Sequence, residues 1–177
     1  MRALPGCCGA KPSWNSWNGS LNGRNATAVL WPSPWPIDHF KKVNDRHGHL
    51  AGDTLLRQVS QVIAGELRST DWIGRYGGEE FVLILPETDI LRAGPVAEKI
   101  RDRVHRTVVP VEDGAVVRVT VSIGLASLEE VAADSVSVTA RDLIAAADRS
   151  LYYAKNGGRN RVHPLPAVLE ELASQAG

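Results

Sequence analysis

The chain has 177 residues, enough for one domain with a sizeable buried core. Twenty basic residues balance twenty acidic ones, so no net field argues for nucleic acid or an anionic membrane as partner. No apolar run approaches the ~20 residues of a spanning helix, and the first eight residues hold no apolar signal core, so the chain reads as cytoplasmic.

Residues 1–36 differ in character from the rest of the chain. They carry Arg2, Lys11 and Arg24 but no acid, and they hold Trp14, Trp17, Trp31 and Trp35 with both cysteines, Cys7 and Cys8. Adjacent cysteines have neither metal-ligand nor disulfide-framework spacing. No helical or alternating period runs through the segment, and Trp31 to Pro36 is rich in proline, so most of it is expected to be poorly ordered. Residues 26–31 are the one stretch that suits a short strand.

From Ile37 the composition becomes that of an α/β domain. Residues 38–48 read as a short polar helix or turn. Residues 53–67 read as a helix begun at Gly52-Asp53, with Leu55, Val59, Val62 and Leu67 near one face. Two apolar runs, 72–76 and 81–85, flank Gly77-Gly78; paired glycines supply the positive φ of a two-residue hairpin turn, and Glu79 and Glu80 follow at its tip. Residues 87–108 read as a second helix with Gly94-Pro95 in its first turn. The β-branched run 116–126 reads as one long buried strand. A third helix over 139–155 is stopped by Gly157-Gly158, and 161–163 adds a short strand before a loose amphipathic stretch at 167–176. Helices alternating with strands imply a mixed central β-sheet flanked by helices. His47, His105 and His163 show no ligand spacing and read as surface or packing residues.

The segment from Ile37 to Asp53 (IDHFKKVNDRHGHLAGD), Arg75 to Phe81 (RYGGEEF), Val121-Ser122-Ile123-Gly124, and Tyr153-Ala154-Lys155 through Gly158-Arg159-Asn160 closely resemble the GGDEF family, in its Gly-Gly-Glu-Glu-Phe variant. The resemblance covers about residues 37–163, with 164–177 left as a tail, and its four motifs stand in order and in register. It implies a nucleotidyl-cyclase-like fold and a diguanylate cyclase, which condenses two GTP into cyclic di-GMP and releases pyrophosphate. It also implies a homodimer, since each domain would hold one GTP.

By the same resemblance, Glu79 is a metal ligand and candidate base, with Glu80 beside it and Lys41 completing the catalytic set. The carbonyl of Ile37 is a further ligand for Mg²⁺ (or Mn²⁺), a hard cation that prefers oxygen donors. Backbone amides of His39, Phe40 and Lys41 would cradle phosphates where a helix starts, and Lys155 and Arg159 would neutralise the phosphate tail. Asn44 and Asp53, with His49 nearby, would read the guanine edge. Read from the residues alone, Asp53 could equally cap its helix, and Lys155 and Arg159 could serve as cations at a helix C-terminus. Arg68 and Asp71, in an Arg-x-x-Asp pattern five residues before Gly77, resemble the family's inhibitory product site, with Lys99 on the following helix as a weaker third contact.

One departure stands out. The family places an apolar strand directly before Ile37, ending in an aspartate that ligates metal. Here that position is Pro36, so the N-terminal central strand reads as lost or replaced, and with it a carboxylate. The abrupt change at residue 37 suggests that 1–36 are an out-of-frame translation of a normal cyclase beginning, with a divergent N-terminus as the competing explanation. The loss leaves a catalytically degenerate domain that binds GTP or cyclic di-GMP as the alternative to an active enzyme.

Overall fold

A computed structural model describes residues 26–31, 37–77, 80–112, 114–132 and 139–164, with the backbone alone for 26–31, 72–77 and 80–81. A five-stranded sheet is built from β1 (Ala26–Trp31), β2 (Trp72–Gly77), β3 (Glu80–Pro86), β6 (Ile123–Ser127) and β7 (Val162–His163), in the order β2-β3-β1-β6-β7. All neighbours are antiparallel except β6 and β7. The helices are α1 (Phe40–Gly65), α2 (Ile90–Arg106), the short α3 (Leu128–Ala132) and α4 (Ala140–Asn156). A separate ribbon pairs β4 (Val109–Pro110) with β5 (Val116–Val117).

Both faces of the sheet are covered, and β3 records this in its alternation. Leu83 and Leu85 pack with Leu55, Val59, Ile100 and Val104 of α1 and α2. Val82 and Ile84 point the other way, onto Leu143, Ile144, Ala147 and Leu151 of α4. A strand buried on both sides reads as a continuous apolar run, as FVLIL does. Each fully buried Leu or Ile contributes roughly 1.5–3 kcal/mol of transfer free energy, so the two clusters together hold the layers on the sheet.

Several expectations need correction. The central strand is not lost: residues 26–31, the stretch that suited a short strand, form β1 between β3 and β6. They do so with a longer connection. Leu30 pairs with Gly124 and Ile37 bridges Val121, so seven positions on one side match three on the other. The chain therefore carries four more residues there than an unbroken ladder would hold.

The two helical stretches expected near the motif run together as α1, broken at Gly48, whose φ of 84° and ψ of 165° are open to glycine and strained for other residues. Asp53 consequently lies inside a helix and does not begin one. Gly77 belongs to β2 and pairs with Glu80; Gly78 and Glu79 between them lie outside the described residues. Asp89 caps α2 by accepting from Arg92 N at 2.8 Å, so the helix starts early enough that Pro95 falls inside it, past the first turn. The run 116–126 is two strands in two sheets, β5 and β6. The capping box of Thr139 and Asp142 starts α4, and Gly157 ends it as expected. The tail expected at 167–176 lies outside the described residues.

Candidate functional site

Register brings the motifs to one end of the sheet. Trp31, at the end of β1, pairs with Phe81 near the start of β3, and Leu30 pairs with Gly124 near the start of β6. Ile123, which begins β6, pairs with Val162, which begins β7. Ile37 bridges Val121 just before β6. The same end of the sheet therefore carries Glu80, the Ile37–Lys41 segment and the Arg159–Asn160 turn. Glu79 lies outside the described residues, as does the side chain of Glu80.

The entry to α1 is unusual. His39, the N-cap, sits in the left-handed region at φ 59° and makes no side-chain capping bond. No acidic residue occupies the first turn, so amides that lack intrahelical partners are not neutralised by a carboxylate. Phe40 N makes a long 3.4 Å bond to the Ile37 carbonyl, and Lys42 N reaches the His39 carbonyl at 2.8 Å. Phe40 is buried, which anchors the first turn, while His39 and Lys41 are exposed.

Beneath this entry lies Asp38, a residue within the motif for which the sequence alone suggests no role. It is only 7% exposed. Its carboxylate accepts from Thr120 Oγ1 at 2.6 Å, Ser122 Oγ at 2.8 Å and the Asn160 backbone N at 3.2 Å. Its own amide donates to the Thr120 carbonyl at 2.8 Å. Alternation would have offered a clue, since Thr120 and Ser122 are two apart and so share one face of an extended chain. Asn160 is held from a second side, its Oδ1 accepting from Arg101 Nη1 at 2.8 Å; Arg101 in turn donates through Nε to Glu98 at 2.7 Å.

Lys155, in the last turn of α4, is half-buried, and burial pushes its ammonium pKa below the ordinary lysine value. Attraction to Asp38 and Asp148 opposes that shift, and repulsion from Arg159 adds to it. Lys155, Arg159 and the Asp38 segment thus share one electrostatic neighbourhood. Arg159 and Asn160 both adopt positive φ, 62° and 46°, in a turn that follows Gly158.

The guanine-reading candidates sit along α1. Asn44 is half-buried, and its Oδ1 is buried with no hydrogen-bond partner among the described residues. A Cβ at Gly52 would collide with that oxygen and approach Phe40 Cζ at 2.8 Å, so the glycine makes room for Asn44 across the break at Gly48. Asp53 and His49 are exposed on the same helix. Asp53 makes no N-cap, which removes the capping explanation for it.

Of the product-site candidates, Arg68 and Asp71 lie together beyond the end of α1, and Lys99 lies on α2. Asp71 is buried, and its Oδ2 accepts from Arg68 N at 2.8 Å while its own N–H donates to the Arg68 carbonyl, closing a tight turn. Arg68 is exposed. Lys99 Nζ is 2.7 Å from Glu66 Oε2, and Arg103 Nε is 3.1 Å from Glu66 Oε1, so a carboxylate at the C-terminus of α1 is clasped by two cations from α2. Elsewhere, a cleft of about 500 Å³ is lined by Arg149, Tyr153 and His163 among others; it contains none of the candidate site residues except by adjacency along α4. His163 packs on Tyr153 with ring centroids 5.3 Å apart, in keeping with a packing role.

Among the described residues, no group of three or more His, Cys, Asp or Glu could hold a metal ion. The donors that the family resemblance implies are oxygens: the Ile37 carbonyl from a described residue, and Glu79 beyond them. Such a donor set suits Mg²⁺, which takes one or two protein carboxylates and completes its shell with water and substrate phosphate.

The fold is that of an α+β, nucleotidyl-cyclase-like domain. The chain matches the family described as "Diguanylate cyclase, GGDEF domain" over residues 34–161, and it belongs to that family. It is 41% identical over 130 residues to diguanylate cyclase A of Treponema denticola, covering 71% of this chain and 32% of that protein. It is 40% identical over 133 residues to diguanylate cyclase DosC of Escherichia coli, covering 75% of this chain and 28% of that one. The chain thus spans about a third of the length of these relatives. In structure it is similar to the GGDEF domain of DgcB from Caulobacter crescentus in complex with c-di-GMP, with a TM-score of 0.68 and 31% identity, covering 84% of this chain and 87% of that one. No helix among the described residues is long and apolar enough to cross a membrane.

Proposed function

We propose that this domain condenses two GTP into cyclic di-GMP and pyrophosphate, working as a pair of domains that face each other with one GTP in each. The observation that carries the reading is the convergence at one sheet end of the uncapped α1 entry, the Lys155–Arg159 turn and the β2–β3 hairpin. Joining two triphosphates brings much negative charge together, and those elements offer amides, cations and carboxylates respectively. In this reading His39, Phe40 and Lys41 bind phosphate through backbone amides, and Lys41, Lys155 and Arg159 neutralise its charge. Asn44 and Asp53, with His49, read guanine. Glu79 holds the metal with the Ile37 carbonyl and accepts the proton of the attacking 3′-hydroxyl, and Glu80 supports it. Bound Mg²⁺ or Mn²⁺ supplies charge neutralisation and orientation of the phosphates. Arg68 and Asp71, with Lys99, form the product site.

Pro36 favours a second reading, a degenerate domain that binds GTP or cyclic di-GMP without turnover. A first carboxylate is absent there, and even indirect losses at metal sites cost roughly 10–100-fold. Purified protein incubated with GTP and Mg²⁺ separates the two. Cyclic di-GMP formation abolished by Glu79→Ala supports the enzyme. Product binding without turnover, lost in Arg68→Ala, supports the receptor, and the absence of both turnover and binding overturns both readings.

A further inference from the structure

The two halves of the proposed phosphate site come from sequence positions more than a hundred residues apart, and one side chain joins them. Asp38 directly precedes His39, so its position sets where the left-handed N-cap and the first amides of α1 lie. The same carboxylate accepts from the amide of Asn160, the residue after Arg159, in the turn that follows the helix end carrying Lys155. Thr120 Oγ1 and Ser122 Oγ fix the carboxylate to the sheet between them. Asn160 is gripped from its other side by Arg101 of α2, itself steadied by Glu98. Three donors fill most of the roughly four acceptor sites of a carboxylate, so Asp38 is poorly suited to replace the metal ligand missing at Pro36.

We propose that Asp38 is a positioning residue for triphosphate binding: it locks the α1 entry to the Arg159–Asn160 turn, and Arg101 supports the lock through the Asn160 side chain. The inference rests on the proposed nucleotide site and assigns the work to a residue that need not touch the nucleotide. Its mark is selectivity for the phosphate tail. Loss of the lock lets the two cationic and amide-bearing halves drift apart, while Asn44 and Asp53 stay in place farther along α1.

The test is calorimetric titration of the whole chain with GTP and with GMP, each with Mg²⁺, for Asp38→Asn, Asn160→Gly and Lys155→Ala. Asp38→Asn is expected to weaken GTP by about tenfold, the low end of the range for losing a supporting contact, with GMP affinity unchanged. Asn160→Gly keeps the backbone amide and tolerates the positive φ, and it is expected to lower the GTP-to-GMP affinity ratio by a smaller factor. If Asp38→Asn fails to fold, the ratio in Asn160→Gly decides: a fall supports the lock and an unchanged ratio overturns it. Equal weakening of GTP and GMP makes Asp38 a general folding residue and overturns the proposal. Unchanged GTP affinity in Asp38→Asn, with affinity lost in Lys155→Ala, overturns the lock and leaves the nucleotide site standing. GTP affinity untouched by Lys155→Ala sinks that site and the lock with it.

Discussion

Replacing Asn44 by alanine should make the protein more stable and a worse nucleotide binder. The buried Oδ1 of Asn44 has no partner among the described residues, and a buried acceptor left unsatisfied costs about 1–3 kcal/mol. Alanine removes that cost and is the better helix former by at most ~0.7 kcal/mol. Against this stands the small void left beside Gly52 and Phe40, worth about 1 kcal/mol for a methyl-sized gap. The balance is a stabilisation of roughly 1 kcal/mol, visible as a higher urea midpoint at unchanged slope. If the amide reads guanine, GTP affinity should fall about tenfold, or 1.4 kcal/mol.

Stability and function then move in opposite directions, as expected of a polar group kept in a poor environment for a ligand. Gly52→Ala probes the same contact from the other side. Helix propensity alone predicts a gain near 1 kcal/mol, but the new Cβ meets Asn44 Oδ1, and overpacking costs about 1–3 kcal/mol. The double variant should recover much of that cost, a coupling that independent sites would not show. A destabilised Asn44→Ala with full GTP affinity would refute the reasoning and make Asn44 an ordinary packing residue.

The same geometry sets the outcome of other perturbations. Because burial lowers the Lys155 pKa in the folded state, the unfolded chain holds the extra proton between the two pKa values, so stability should rise with pH in that alkaline window and the rise should vanish in Lys155→Met, checked by denaturation at several pH values. Triphosphate binding should restore the proton, giving an uptake measurable by calorimetry in buffers of different ionisation enthalpy. The Lys99 hydrogen bond, together with attraction from Lys99 and Arg103, lowers the Glu66 pKa, so its contribution is present above the unfolded value and lost as pH falls through the folded one. Glu66→Gln should therefore cost stability at neutral pH, by roughly 0.2–1 kcal/mol for each exposed pair, and nothing once the carboxyl is protonated. It should also free Lys99 and raise cyclic di-GMP affinity if the product site operates. Gly124→Ala should destabilise by about 1–3 kcal/mol in urea melts, since its Cβ would strike the backbone of Ala147 and Leu151, which cannot swing aside.

The parts legible in the sequence are those set by short-range chemistry. The hairpin, the capping-box helix from Thr139 and its glycine stop follow from local residue preference, and β3 shows its two-sided burial in FVLIL. The parts that were not legible depend on partners distant along the chain. Residues 116–126 look like one strand because β-branching is local, whereas the division between β5 and β6 depends on Val109 and Ile37 arriving as neighbours. Pro95 reads as a first-turn proline until Asp89 is seen to cap five residues before Gly94. Residues 26–31 were legible as a short strand, but their central place was not, because the strand lies upstream of a four-residue surplus and its neighbours, β3 and β6, come from far along the chain. Asp38 shows the same limit within the site: its three partners come from residues 120, 122 and 160, so only the folded chain reveals what the carboxylate is for.

The engagement of Asp38 bears on what Pro36 means. A missing metal ligand invites the idea that the next acid along, two residues later, has taken over. Asp38 is buried, engaged by two hydroxyls and one amide, and close enough to Lys155 to influence its charge. Turning it outward would break three bonds and leave those donors in an enclosed space, at a cost of about 1–3 kcal/mol for each one unsatisfied. One new ligand bond to a strongly hydrated cation is a poor exchange for that. The carboxylate that the family resemblance implies at position 36 is therefore not supplied by Asp38. In the proposed reading, a site short of one carboxylate would leave a bound metal more dependent on oxygens that the nucleotide brings. If the domain is the proposed cyclase, GTP binding should suffer less from proline at position 36 than catalysis, because the triphosphate carries its own Mg²⁺ while in-line attack needs the protein's ligands in place.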